Sequence, residues 1–196
     1  MNIFILDKDP VLAAQLQCDK HVVKMIVESA QMLSTAHRML DGKLIKKLSK
    51  SGKRMVKYYD LYEGADDLEA EMLYYKAVHH GHPCTVWTMQ SSENYHWHYQ
   101  HFIALGDEYT HRYGKVHKSD EKFRSVLFFS PANISTHESF TNPPQCMPDE
   151  YKDANTIIGY RKYYALDKAA NDWFCYNKNR PEPLFIQEII DDSQVS

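Results

Sequence analysis

Glycine and proline are scarce in this chain, at 7 and 8 of its 196 residues. That scarcity argues against a turn-dense sandwich or barrel. Long apolar runs are missing as well. None approaches the roughly 20 residues that cross a bilayer, so no membrane span is expected. The apolar run Ile3–Leu6 follows no basic region and is too short for a signal peptide. Neither sign of charge is in strong excess: 23 basic against 26 acidic residues leave a net charge of −3. A uniformly basic nucleic-acid coat is thereby excluded, but a local basic patch is not. No Cys-x-x-Cys pair occurs among Cys18, Cys84, Cys146 and Cys175. Scattered thiols without a secretion signal point to reduced cysteines and a cytoplasmic protein.

What is present fits one domain over residues 1–196, with 43% hydrophobic and 25% charged residues. Against that ordinary background, 11 histidines and 14 tyrosines stand out. Such an excess points to a wet, polar-aromatic site rather than a purely apolar core. Residues 2–6 read as a short buried strand. Asp9 is placed to cap a helix opening at Pro10. A long helical stretch is expected from about 11 to 40, interrupted near Cys18–Asp19. Val22, Ile26, Ser29, Leu33, Ala36 and Leu40 form its apolar stripe, and Gly42 stops it.

Residues 43–57 carry seven basic residues and no acidic one, and 63–71 then carry five acids. That swing marks an exposed insertion or hairpin. Further helices are expected over 68–78, over one stretch that begins at about 85–89 and runs clearly over 93–113, and over 153–170, with Gly114 ending the second. Residues 79–84 and the proline-rich 130–150 read as loops. The tail from about 181 is expected to fray. The fold class is therefore mainly α: a compact helical domain with a short N-terminal β-strand.

Four constellations can carry chemistry. His21, Lys24 and Glu28 share one helix face. A carboxylate beside a cation and an imidazole suits proton transfer or cation stabilisation. The same spacing also suits an ordinary surface pair worth only about 0.3–0.5 kcal/mol. Second, Cys18, His21, His82 and Cys84 make a conceivable zinc set. A zinc deaminase is excluded, because Pro83-Cys84 is followed by Thr85, Val86 and Trp87 and not by a second cysteine.

Third, Asn94, His98, His101, Glu108 and Arg112 lie in one arc of the helix 93–113, while Tyr95, Phe102 and Tyr109 mark its packed side. Facing polar stripes build sites in helical bundles. A metal-dependent hydrolase would draw on His79, His82, His98, His101 and Glu108; a solvated face accounts for the same pattern. Fourth, Arg112 to Lys118 is basic, and Tyr160-Arg161-Lys162-Tyr163-Tyr164 interleaves cations with stacking surfaces, as unpaired bases and phosphates require.

Asp19-x-His21 followed by Glu28 resembles, in spacing, the element in the first long helix of the endonuclease V type of pyrimidine dimer DNA glycosylase. Gly81-His82, the aromatic-rich helix after it, its basic end at Arg112-Tyr113-Gly114, and the segment Tyr160–Tyr164 are similar to later parts of that family. The start of the chain and the stretch Cys18–Met25 also resemble phage proteins of unassigned function. The family resemblance implies a compact helical fold and a DNA or nucleotide substrate, with no cofactor. It implies Glu28 as the catalytic carboxylate, His21 beside the substrate backbone, and a terminal α-amino group as nucleophile. Residue 2 is Asn2, bulky enough to keep Met1, so the amine on offer is that of Met1. The arginines of the family are replaced around Glu28 by Val27 and Ser29, with Lys24 the nearest cation. An α-amino group ionises about 2.5 units below a lysine, which leaves more of it neutral and nucleophilic. Substrate contacts are expected from Asp19, Lys24, His82, His98, His101, Arg112, Tyr160, Arg161 and Tyr163, with a flipped base stacking on Tyr160, Tyr163 or Trp97. A further alternative is a non-enzymatic phage protein that binds a host factor through the arm at 43–57.

Overall fold

A computed structural model describes residues 1–49, 51–61 and 73–195. Among them the chain is mainly helical, with a two-stranded antiparallel sheet. Helix α1 (Pro10–Gln15) starts where Asp9 Oδ1 accepts the Val11 amide at 2.8 Å. The expected interruption at Cys18 separates it from the long central helix α2 (Asp19–Asp41). Val22, Ile26, Ser29, Leu33 and Ala36 are buried along α2, and Leu40 is half-buried. Strands β1 (Lys43–Leu48) and β2 (Met55–Asp60) form the basic hairpin, with Lys43 opposite Asp60 and Leu48 opposite Met55. Its foot is held by Arg38, whose guanidinium is fully buried and donates to the carbonyls of Tyr59, Tyr74 and Tyr75.

Helix α3 (Pro83–Gln90) has proline in its first turn. Ser91 ends it and caps α4 (Ser92–Tyr113) by accepting the Asn94 amide. Gly114 closes α4 in the left-handed region, φ 65°, where a side chain is strained. Helix α5 (Lys118–Phe123) and a loop lead to α6 (Thr156–Tyr163), which widens into a π-helical turn at Tyr164–Lys168. The helix expected over 153–170 is thus present over 156–168, with its last turn widened. Helix α7 (Leu184–Val195) replaces the frayed tail, because it buries Ile186 and half-buries Phe185, Ile189 and Ile190. Of the helix expected over 68–78, residues 68–72 lie outside the described residues, and 75–78 form irregular chain in place of the expected helix.

The expected N-terminal strand is absent. Residues 2–6 are buried but pair with no strand among the described residues. Phe4 adopts φ 51°, which no ladder accommodates. An apolar run specifies burial, and pairing is a separate matter. Backbone groups here find side chains instead: Ile3 N donates to Asn2 Oδ1 (2.9 Å), and Leu6 O accepts from Arg161 Nε (2.8 Å).

The polar arc of α4 is neither solvated nor a metal shell. It is buried, and each member holds a different part of the chain. Asn94 binds Thr141 and the Trp87 carbonyl. His98 Nδ1 meets Thr88 Oγ1 at 2.8 Å, and His101 Nδ1 meets the Pro10 carbonyl at 3.0 Å. Arg112 binds Glu108 (2.6 Å), Asp19 (2.9 Å) and the Gln15 carbonyl (3.0 Å), while Arg180 closes on the other side of Glu108. Burial pushes the Glu108 carboxyl up, but Arg180 and Arg112 outweigh it and hold it below its usual range.

Removing one partner from this ion network strands buried charge. Arg112→Ala is expected to cost about 3–5 kcal/mol in a urea melt; a loss under about 1 kcal/mol would show that the network is dispensable. The buried histidines predict an acid dependence. Burial holds His21, with help from nearby lysines, and His98 down to about 3, and holds His37 and His101 at about 4, against 6.5 for an unperturbed imidazole. The unfolded chain therefore takes up protons that the folded chain refuses. Stability is full above about pH 6.5 and is lost as pH falls toward 4. Urea unfolding at stepped pH measures this, and a flat profile from pH 7 to 5 would contradict the burial.

Candidate active site

The buried amino-terminal segment runs beside α2 and brings the start of the chain to Glu28. Met1 N lies 3.9 Å from Glu28 Oε2, and Asn2 N donates to the same oxygen at 3.1 Å. Lys24 Nζ sits 3.3 Å from Oε1, one helical turn away. The carboxylate is half-buried and is flanked by an amine, an amide and an ammonium. The arrangement sets a carboxylate beside an amine, the geometry that general-base chemistry requires.

Asn2 fixes this arrangement from behind. Its Nδ2 donates to the Cys146 carbonyl (3.0 Å), and its Oδ1 accepts from the Tyr160 hydroxyl (2.7 Å). Tyr160 also accepts the Cys146 amide at 3.3 Å. The loop carrying Cys146 is thus tied to the same residue that positions the terminus. On the far side, His82 caps α3 by accepting the Cys84 amide on Nδ1 (3.2 Å), and Cys84 Sγ lies 3.5 Å from Cys146 Sγ. The Cys146 thiol is held down to about 7, foremost by its bond with Cys84 and also by the N-terminal amine, while Cys84 is pushed up. Burial lowers His82, and the terminal amine lowers it further.

From Glu28 a surface of cations and rings extends along α2. Lys20 lies 5.0 Å over the Trp173 ring, and Lys168 lies 4.3 Å over Tyr163. Lys20, Lys24 and Lys168 all act electrostatically on His21. His21 itself is buried beneath them. It stacks on Phe4 at 4.5 Å and lies 2.9 Å from the Tyr164 hydroxyl. It is a neutral floor to this surface and not a charged contact.

Of the expected site residues, the structure brings together Met1, Lys24, Glu28 and His82, with Tyr163 further along the surface. It places Asp19, His98, His101, Arg112 and Tyr160 inside the fold, where all of their polar groups but His98 Nε2 are engaged. Buried Tyr160 offers no free face for a base. Trp97 is committed too, stacked on His101 with its N–H on the Lys8 carbonyl. Arg161 is half-buried and bonds Asp7 and the Leu6 carbonyl. Neither metal set built from spacing is assembled whole: His82 and Cys84 of the first stay together, and the rest are dispersed. Cys18 and His21 pack with Tyr164, and Glu108 serves the arginines. Among the described residues, the metal-compatible group is His82, Cys84 and Cys146. Sequence reasoning missed Asn2, Cys146, Lys168 and Trp173 as members of the site. Only the aromatic-basic composition near Trp173 carried any signal.

Compared with family models, curated proteins and solved structures, the chain matches none.

Tyr160→Phe removes the hydroxyl that holds Asn2 and the Cys146 loop while keeping the packed ring. The expected loss is about 1–2 kcal/mol in chemical denaturation, because Asn2 Oδ1 and the Cys146 amide lose a buried partner. An unchanged midpoint would show that Asn2 is positioned by packing alone.

Proposed function

We propose that the protein is a nucleic-acid-processing enzyme of the DNA glycosylase type, acting on an N-glycosidic bond in DNA or a nucleotide. The observation that carries this reading is the Met1 amine set 3.9 Å from the Glu28 carboxylate. In this scheme Glu28 accepts a proton from the terminal ammonium and frees its lone pair. The neutral amine attacks the anomeric carbon of the sugar. The bond from that carbon to the base breaks, and the base leaves with the electron pair and takes up a proton. As the ring opens, a second amine proton passes to the freed ring oxygen, which gives a protonated imine that water hydrolyses or that permits strand cleavage by elimination.

The neighbouring surface supports a nucleic-acid substrate. Lys20, Lys24 and Lys168 offer phosphate contacts, and Trp173 and Tyr163 offer stacking faces beside them. This is a local basic patch in a chain of net charge −3, so binding would be confined to one face. A fold of the endonuclease V kind belongs to the same proposal, as does work in the cytoplasm of an infected host if a phage encodes the protein. His21 would shape the floor under the substrate through Phe4 rather than bind phosphate, since burial keeps it neutral.

Borohydride trapping on an oligonucleotide with an abasic site tests the reading. A covalent adduct is expected, with the modified peptide carrying Met1 by mass spectrometry. Glu28→Gln is expected to lower the trapping rate by about a hundredfold or more while leaving the circular dichroism unchanged. Full activity in Glu28→Gln, or an adduct on a lysine, would overturn the mechanism.

A further inference from the structure

Three side chains near the terminus have no part in the amine chemistry, yet they converge. His82, Cys84 and Cys146 each offer a ligand atom, and these atoms all lie within 4.8 Å of one another. We propose that His82, Cys84 and Cys146 bind one thiophilic divalent cation of the zinc class, through one imidazole nitrogen and two thiolates.

The donor set is the first argument. Two sulfurs and an imidazole are what zinc prefers, and hard cations such as magnesium and calcium avoid them. Spacing is the second. Tetrahedral zinc with ordinary bond lengths holds its ligand atoms about 3.5–3.8 Å apart. Cys84 Sγ and Cys146 Sγ already stand at 3.5 Å, and both cysteines are free. The imidazole is the third. His82 Nδ1 carries the ring's lone pair, and an ion bound there would take that lone pair in exchange for its bond to the Cys84 amide.

Pre-organisation and access complete the case. His82 and Cys84 sit at the rigid start of α3, two residues apart. The backbone of Cys146 is clamped on both sides, its carbonyl by Asn2 Nδ2 and its amide by the Tyr160 hydroxyl. Such outer supports are what hold first ligands in place in metal sites. Cys84 is sealed in the core, whereas His82 and Cys146 are half-buried. An ion would therefore arrive from the His82 and Cys146 side. Binding releases the protons of whichever thiols are still protonated. Three protein ligands leave a fourth tetrahedral position for water or another group.

This inference does not rest on the glycosylase reading, because it is read by metal stoichiometry and not by turnover. Reduced, metal-free protein would be titrated with Zn²⁺ by calorimetry and with Co²⁺ by absorption. One equivalent of each is expected, with the near-ultraviolet charge-transfer band of cobalt–thiolate bonds. Cys146→Ser should weaken Zn²⁺ binding by at least about tenfold, and Cys175→Ser should not change it. If Cys146→Ser does not fold, the wild-type chain still decides the matter: Zn²⁺ should protect the half-buried Cys146 from maleimide, but not Cys175, while the core Cys84 stays unlabelled throughout. Absence of stoichiometric binding, binding undiminished in folded Cys146→Ser, or equal maleimide labelling of Cys146 with and without Zn²⁺ would each overturn the proposal.

Discussion

A buried stretch of backbone without a neighbouring strand must find another partner for each polar group. That constraint governs the first six residues of this protein, and the candidate site follows from it. Asn2 serves the backbone of Ile3 and Cys146, Tyr160 serves Asn2, and Arg161 serves Leu6. Each bond is worth only about 1 kcal/mol net, but leaving any of these groups unpaired would cost more. The consequence is positional. Once Asn2 is fixed from behind, its amide and the Met1 amine have one place to go, beside Glu28. The same bonds carry the Cys146 loop up to α3, which is why two cysteines 62 residues apart come within 3.5 Å.

The second organising feature is the polar arc of α4. A helix that is polar on one side and aromatic on the other reads as amphipathic. Here both sides are covered, because the polar side is consumed by bonds to α1, α2, α3 and the C-terminal segment. Buried polar groups are tolerable only when paired, and nearly every one here is. His98 is the exception in this arc. The Thr88 hydroxyl gives its proton to the Cys84 carbonyl, so His98 Nδ1 must be the donor to Thr88. That leaves His98 Nε2 as a bare lone pair in the core, one of the few unpaired polar atoms among the described residues.

Much of the helical framework was legible in the residues. The Asp9–Pro10 start, the interruption at Cys18, the stripe on α2, the basic hairpin and the Gly114 stop all depend on neighbours a few positions away. So did the face that puts Lys24 one turn from Glu28. The unpaired N-terminal segment, the widened end of the helix over 156–168 and the ordered tail escaped the local pattern for a common reason. In each, local pattern indicated burial or polarity, but the geometry was set by remote packing: Phe4 against His21, the widened turn at Tyr164, Ile186 against the core.

The histidine and tyrosine excess divides along the same line. Composition alone determined that this is a single, mainly helical chain rich in polar aromatic groups, because such counts and short periodicities reflect local preferences. Which of those groups are chemical and which are structural was decided by tertiary contacts. His98, His101 and Tyr160 brace the interior, His21 is a neutral floor, and His82 stands with two thiols that share no motif. No spacing rule joins Cys84 to Cys146 or Met1 to Glu28. Those meetings depend on the free-energy cost of unpaired backbone in the core, a cost that exists only once the core has formed.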